Sequence, residues 1–304
     1  MNSFYEKLDA LYGAGDPAAV EEFILAAIAG ARGGSPELAG LYNELAGFYR
    51  GVSRFGESED AFSQALDIFE ASNMGLTPEC GTVLMNLAGL YRMRGETGRA
   101  LEAFTKALRK LEDAGAHGSY AYTSALNNLA LAYKEAGDRE QALGYAGRAL
   151  AAVREGGGNE HEIAASLNNL AAIRLQFGEV EEAGSLISEA LEIYESMTDA
   201  DVHYAAALAT KASLLYRAGR YSGALDYFRR ALDLTRRFFG ENIEFAICKR
   251  NMSDVLERLG DVPAAFEELS GAVAVMERIL GAEHPSVADA RRKLELWGTV
   301  RSCS

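Results

Sequence analysis

Seven alanines set a period along this chain. Ala27, Ala65, Ala107, Ala149, Ala190, Ala231 and Ala272 follow one another at intervals of 38, 42, 42, 41, 41 and 41 residues. A fixed period overrides most local readings, because each repeat buries its apolar face only against its neighbours. Twelve residues before each alanine stands a turn residue: Gly15, Ser53, Gly95, Gly137, Gly178, Gly219 and Gly260. Glycine ends a helix in the left-handed conformation at little steric cost. An acid often follows it (Asp16, Glu96, Asp138, Glu179, Asp261), which suits the positive start of a new helix. Each unit is therefore expected to be a helix, a tight turn and a second helix.

Small residues recur where the two helices of a unit would touch. Ala46, Ala88, Ala130, Ala171, Ala212 and Ser253 lie in first helices, and Ser58, Ala100, Ala142, Ala183, Ala224 and Ala265 in second ones. Side chains this small let helix axes approach closely. Larger apolar residues surround them, among them Leu45, Leu87, Leu129 and Leu170, then Phe62, Phe104, Ile187, Phe228 and Leu269. Only five prolines and no alternating β-branched runs point the same way, to an all-helical fold.

The order Leu129-Ala130, Tyr133, Gly137, Ala142, Ala149 resembles the tetratricopeptide pattern of leucine, small residue, tyrosine, turn, alanine and alanine. The longer unit, the "LNNLA" in the first helix and an opening such as Gly281 to Ala290 are similar to the kinesin-light-chain type of this repeat. The resemblance implies an all-α, right-handed α-solenoid of about seven antiparallel helix pairs plus a C-terminal capping helix. Units are expected at approximately 4–32, 37–73, 78–114, 118–155, 160–197, 202–239 and 243–280, with the cap at 285–297, all in one domain. The pattern departs in the first unit, where Leu8 and Val20 replace small residues, and in the sixth, where Lys211 stands at the leucine position. Gly33-Gly34 and Gly156-Gly157-Gly158 read as loops.

Two neighbouring amides interrupt the apolar first helix at Asn127-Asn128 and again at Asn168-Asn169. The packing positions Leu126, Leu129, Ala130 and Tyr133 share an arc of about 100°, and the asparagines fall at or beyond its edges. The second amide recurs as Asn86, Asn128, Asn169 and Asn251, with Glu44 and Thr210 in the remaining full units. A primary amide both donates and accepts, so such a series fits a passing peptide main chain. Bonding between helices of the scaffold explains it equally. The resemblance implies that this face lines a concave groove and that such asparagines contact bound peptides.

Cations recur near the ends of first helices at Arg50, Arg92 and Lys134, and one residue later at Arg217 and Arg258. They would draw carboxylates or an acidic peptide into the groove, although the helix dipole favours cations in a last turn without any ligand. Lys134 and Arg92 with Asn86 and Asn128 only loosely match the carboxylate clamp of chaperone-binding tetratricopeptide domains.

The formal charge of −14 argues against nucleic acid or an anionic membrane as the main partner. The start of the chain lacks a secretory pattern and no apolar run is long enough to span a bilayer, so a cytoplasmic location is expected. Cys80, Cys248 and Cys303 are scattered thiols, not a disulfide or zinc framework. His117, His161, His203 and His284 stand about one unit apart, too far to converge on one ion, and suit caps and loops. Paired acids such as Glu181-Glu182 and Glu267-Glu268 read as solvated outer faces of second helices. Phosphate-loop, nucleophile-elbow and zinc-protease motifs are missing, so no enzyme, cofactor or metal is expected. The expected function is a protein- or peptide-binding adaptor whose groove uses Asn86, Asn127, Asn128, Asn168, Asn169 and Asn251 for main-chain capture. Arg92, Lys134, Arg217 and Arg258 would then select charge. A sensor that changes shape on binding a signalling peptide and a purely structural scaffold are the alternatives.

Overall fold

The computed structural model of the chain describes residues 2–14, 16–52, 54–75, 77–197 and 202–301. Among them are fifteen α-helices and no strand. They are α1 (Asn2–Ala14), α2 (Pro17–Gly30), α3 (Pro36–Gly51), α4 (Phe55–Ala71), α5 (Pro78–Met93), α6 (Thr97–Asp113), α7 (Tyr120–Ala136), α8 (Arg139–Glu155), α9 (Glu160–Gln176), α10 (Val180–Ser196), α11 (Val202–Arg217), α12 (Tyr221–Phe239), α13 (Ile243–Leu259), α14 (Val262–Leu280) and α15 (Pro285–Arg301). The chain divides into two compact units, Met1–Gly157 with α1 to α8 and Gly158–Ser304 with α9 to α15. The division falls within the triple glycine 156–158.

The turns carry the expected chemistry. Gly95, Gly137, Gly178, Gly219 and Gly260 have φ between 73° and 85°, the left-handed region in which a side chain is strained. Gly15 and Ser53 lie outside the described residues, as does Cys303. The acids that follow the turns divide by length. Asp16, Asp138 and Asp261 each accept a backbone N–H of the helix they open. Glu96 and Glu179 make no such cap. One methylene longer, they pair with arginines instead, Glu96 with Arg94 and Arg99 and Glu179 with Arg174. First helices have caps of their own: Ser35, Thr77, Ser119, Asn159 and Asn242 cap α3, α5, α7, α9 and α13. His284 does the same for α15, its Nδ1 accepting from the Ser286 N–H at 3.2 Å.

All twelve small residues singled out by the repeat are fully buried, from Ala46 and Ser58 to Ser253 and Ala265. In the first unit, Phe62, Phe104 and Leu111 fill the space around them, with Leu8 and Val20 also buried at their atypical positions. The second unit packs Ile187 and Phe228, and towards its end Phe245, Leu269, Val273 and Met276 against Val287 and Ala290 of α15. Trp297 is half-buried against that cluster, with the Lys293 ammonium 4.7 Å from its ring centroid. Lys211 keeps its place in α11 by sending its ammonium to the Ser188 hydroxyl of α10, 3.3 Å away.

A polar clamp ties one helix pair to the next in the first unit. Glu21 of α2 accepts from the Tyr49 hydroxyl at 2.9 Å and from Arg54 at 2.7 Å. Glu59 of α4 repeats the arrangement with Tyr91 at 3.1 Å, Arg94 at 2.7 Å and Arg99 at 2.5 Å. The arginines also lie over the tyrosine rings, Arg54 at 4.3 Å from the Tyr49 centroid and Arg99 at 3.9 Å from that of Tyr91. These tyrosines therefore both pack against their neighbours and hold the clamp.

Candidate functional site

The odd-numbered helices α1, α3, α5 and α7 of the first unit, and α9, α11 and α13 of the second, are the first members of their pairs. Within each unit they also touch one another, α3 with α5, α5 with α7, α9 with α11 and α11 with α13. This contact brings the amide positions of successive first helices within reach of each other.

In the first unit the amides meet in a stagger. Asn86 of α5 donates from Nδ2 to Oδ1 of Asn43 of α3 at 3.0 Å. Asn43 stands at the first position of the "NN" pair in its own unit, aligned with Asn127 and Asn168, so the bond joins the second position of one unit to the first position of the unit before. Asn43 stands outside the amide set expected from the sequence, which placed amides at this first position only at Asn127 and Asn168. Met85 occupies the first position of α5 and offers no amide. Asn128 of α7 accordingly turns back on its own helix, donating to the Ser124 carbonyl at 3.0 Å. Asn127 is half-buried.

The second unit breaks the stagger at Thr210. Asn168 is 7% exposed and its Oδ1 meets no described hydrogen-bond donor. The same stagger would draw that donor from position 210, where the threonine hydroxyl donates instead to the Ala206 carbonyl at 3.1 Å. Asn169 and Asn251 are half-buried, and their side chains make no hydrogen bond to another described residue. Half-buried Arg250, at the first position beside Asn251, is likewise without a described ion-pair partner.

The basic residues do not form one uniform strip. Arg50 is turned into the scaffold, donating to the Asn86 carbonyl at 3.2 Å, and burial pushes its pKa down. Arg92 pairs with Glu135 at 2.9 Å, which neutralises it locally. Lys134 is half-buried. Arg217 is exposed, and Arg258, also exposed, donates to the Tyr216 hydroxyl at 3.4 Å.

At the start of the first unit the first helices open a cleft of about 800 Å³. Phe4 and Tyr5 of α1, Asn43 and Glu44 of α3, and Glu79 and Thr82 of α5 stand in its wall. Glu44 is half-buried and shares the cleft wall with Tyr5. Burial pushes its carboxyl pKa up, and the nearby Tyr5 hydroxyl only partly offsets that. Burial, together with the Glu44 charge, raises the Tyr5 and Tyr12 phenols in turn. Glu44 has no cationic partner among the described residues.

The histidine expectation needs correction for one pair. His161 of α9 and His203 of α11 bring their rings to 4.8 Å between centroids, and His161 also meets the Tyr194 ring edge-on at 5.8 Å. Neighbouring first helices pack about 10 Å apart, a gap that two ring side chains close. Among the described residues no group of three or more His, Cys, Asp or Glu is placed to hold a metal ion. Cys80 and Cys248 are free and buried, and desolvation pushes the Cys248 thiol up to about 12. The acidic pair at 267–268 is also only partly solvated, since Glu268 pairs with Lys249 at 2.5 Å. No helix among the described residues is long and apolar enough to cross a membrane.

Antiparallel helix pairs with fully buried small-residue seams, left-handed turn glycines and a polar first-helix face define a helix-pair repeat protein. The tetratricopeptide repeat model matches residues 37–113, 121–196 and 162–237, and a second model of the same description matches 245–286. The chain belongs to the tetratricopeptide repeat family, with units of the kinesin-light-chain-like length. No curated protein matches it in sequence. Among solved structures it is similar to NprR in complex with its cognate peptide NprX, at 18% identity over 99% of this chain and 82% of that one, with a TM-score of 0.65. It is also similar to a tetratricopeptide repeat protein from Parabacteroides merdae, at 16% identity over 97% and 98% of the two chains and a TM-score of 0.64. A third likeness is to BtubC (BKLC) from P. vanneervenii, at 20% identity over 77% and 92% and a TM-score of 0.51. At these identities the likeness is one of fold.

Proposed function

We propose that this chain is a non-enzymatic, cytoplasmic adaptor that binds an extended segment of a peptide or protein along its first-helix faces. The observation that carries this reading is the state of Asn169 and Asn251. Both are half-buried, and neither spends its side-chain donors or acceptor on another described residue. Leaving a partly desolvated amide without partners costs free energy unless a ligand supplies them. A peptide main chain offers one donor and one acceptor per residue, whatever its side chains. In this reading Asn168 belongs to the same face of the second unit, and Asn86, Asn127 and Asn128 lie on the corresponding face of the first. Arg92, Lys134, Arg217 and Arg258 bias its charge, with exposed Arg217 and Arg258 the most available to an acidic side chain. NprR, whose fold is similar, was solved in complex with its cognate peptide, which supports this reading.

The test uses fluorescein-labelled random octapeptide pools and anisotropy. The unmodified chain should bind them, and the double replacement Asn128→Ala, Asn169→Ala should weaken binding by roughly tenfold, equivalent to 1.4 kcal/mol, with an unchanged melting midpoint. A large fall in midpoint with binding retained would sink the groove reading and leave the amides a scaffold role.

A further inference from the structure

We infer that the cleft at the start of the first unit receives a cationic side chain, arginine or lysine, of a bound segment, with Glu44 as its counter-ion. The inference rests on the peptide-binding reading and adds a residue preference to it.

Glu44 is the half-buried charge in its own series. At the second amide position the described units carry Glu6, Glu44, Asn86, Asn128, Asn169, Thr210 and Asn251, so two rungs are charged and five are neutral, and of the two charged ones Glu6 is exposed. A helix start would account for a carboxylate without any ligand, and it does account for Glu37 and Glu79, which stand in the first turns of α3 and α5. Glu44 lies in the middle of α3, where the dipole gives it nothing. The other half-buried carboxylates of this unit are neutralised on the spot, Glu21 by Arg54 and Glu59 by Arg94 and Arg99. Glu44 has the Tyr5 hydroxyl and no cation among the described residues. A partly buried carboxylate held in this way raises the cost of the unliganded state and rewards a cation that arrives with a ligand.

The cleft around it fits such an occupant. Its volume of about 800 Å³ exceeds what one side chain needs. Phe4 and Tyr5 offer apolar faces to a methylene stem and ring faces to its charged head. The wall carries three carboxylates, Glu37, Glu44 and Glu79, against one guanidinium, Arg32, and none of the four forms an ion pair with a described residue. Asn43, the acceptor of the Asn86 bond, also lines the wall, so the cleft continues directly into the amide face of α3 and α5. That continuity commits the site to a side chain on an extended segment, not to a free amine.

Three octapeptide pools, random except at one central position, separate the outcomes. That position is arginine in the first, citrulline, the uncharged isostere, in the second and glutamate in the third. The full chain should bind the arginine pool roughly tenfold more tightly than the citrulline pool and discriminate further against glutamate, and Glu44→Gln should abolish the difference. Should that variant lose helicity by circular dichroism, Glu44→Asn, the residue of most other units, takes its place. Equal affinity for arginine and citrulline, or a preference that survives Glu44→Gln, overturns the inference while leaving peptide binding standing. Failure of all three pools to bind overturns both readings.

Discussion

Ser58 and Ser253 occupy equivalent seams between paired helices, yet their hydroxyls fare differently. Both are fully buried. Ser58 donates to the Ala46 carbonyl of the facing helix at 2.7 Å, whereas Ser253 finds no partner among the described residues. Alanine fills the equivalent seam positions in the other units except the first, so the shape is already known to fit. Removing a satisfied buried hydroxyl costs about 1 kcal/mol, while removing an orphaned one returns its desolvation penalty. Ser58→Ala should therefore destabilise and Ser253→Ala stabilise, each by about 1 kcal/mol, read from urea denaturation. The same sign for both would refute the hydrogen-bond account. The sequence revealed that both positions must be small. It did not reveal which hydroxyl would reach a carbonyl, because that depends on the local register of two helices. Asn43 was missed for a related reason: its role appears only when position two of one unit is set against position one of the unit before.

At the scale of the element, the period was legible because its causes are local. Left-handed glycines at Gly137 and Gly260 stop α7 and α13, and capping aspartates at Asp138 and Asp261 start α8 and α14, within a few residues of each turn. The clamp between helix pairs was not legible. Glu59 and its partners Tyr91, Arg94 and Arg99 lie 32 to 40 residues apart, and position 101, one unit beyond Glu59, is a leucine, so the pattern repeats only from Glu21 to Glu59. Burial alone would push the Glu59 carboxyl up, but Arg99, Tyr91 and Arg94 together outweigh it and hold the pKa below the ordinary value of 4.5. A carboxylate depressed on folding stabilises the native state fully above its unfolded pKa and loses that contribution as pH falls through the folded one. Glu59→Gln should cost about 1 kcal/mol at neutral pH, a modest figure because the arginines are partly exposed. The difference between the two proteins should close as the pH drops below about 4. A gap that is constant from neutral to acid pH would mean that shape, not charge, makes the contact.

At the scale of the whole chain, repeat proteins are stabilised by neighbours, so an end needs a cover. The polar run Ala290-Arg291-Arg292-Lys293-Leu294-Glu295 announced such a helix, and α15 has its apolar side on α14, with Val287 fully buried and Ala290 nearly so against the cluster of Phe245, Val273 and Met276. Lys293 adds ion pairs to Asp254 at 2.6 Å and Glu257 at 2.7 Å, both on α13. The polar surface of this helix could be read from sequence, but the partners of Lys293 could not, since they follow from how α15 lies across α13 and α14. Truncation after Gly281 removes the cover and both ion pairs. Losing two buried apolar side chains and exposing those beneath them should cost about 2–5 kcal/mol locally. Hydrogen exchange should then show α13 and α14 losing protection before α9 and α10, because opening begins where neighbours are fewest. Loss of protection spread evenly through α9 to α14 would show instead that the second unit opens as one cooperative block.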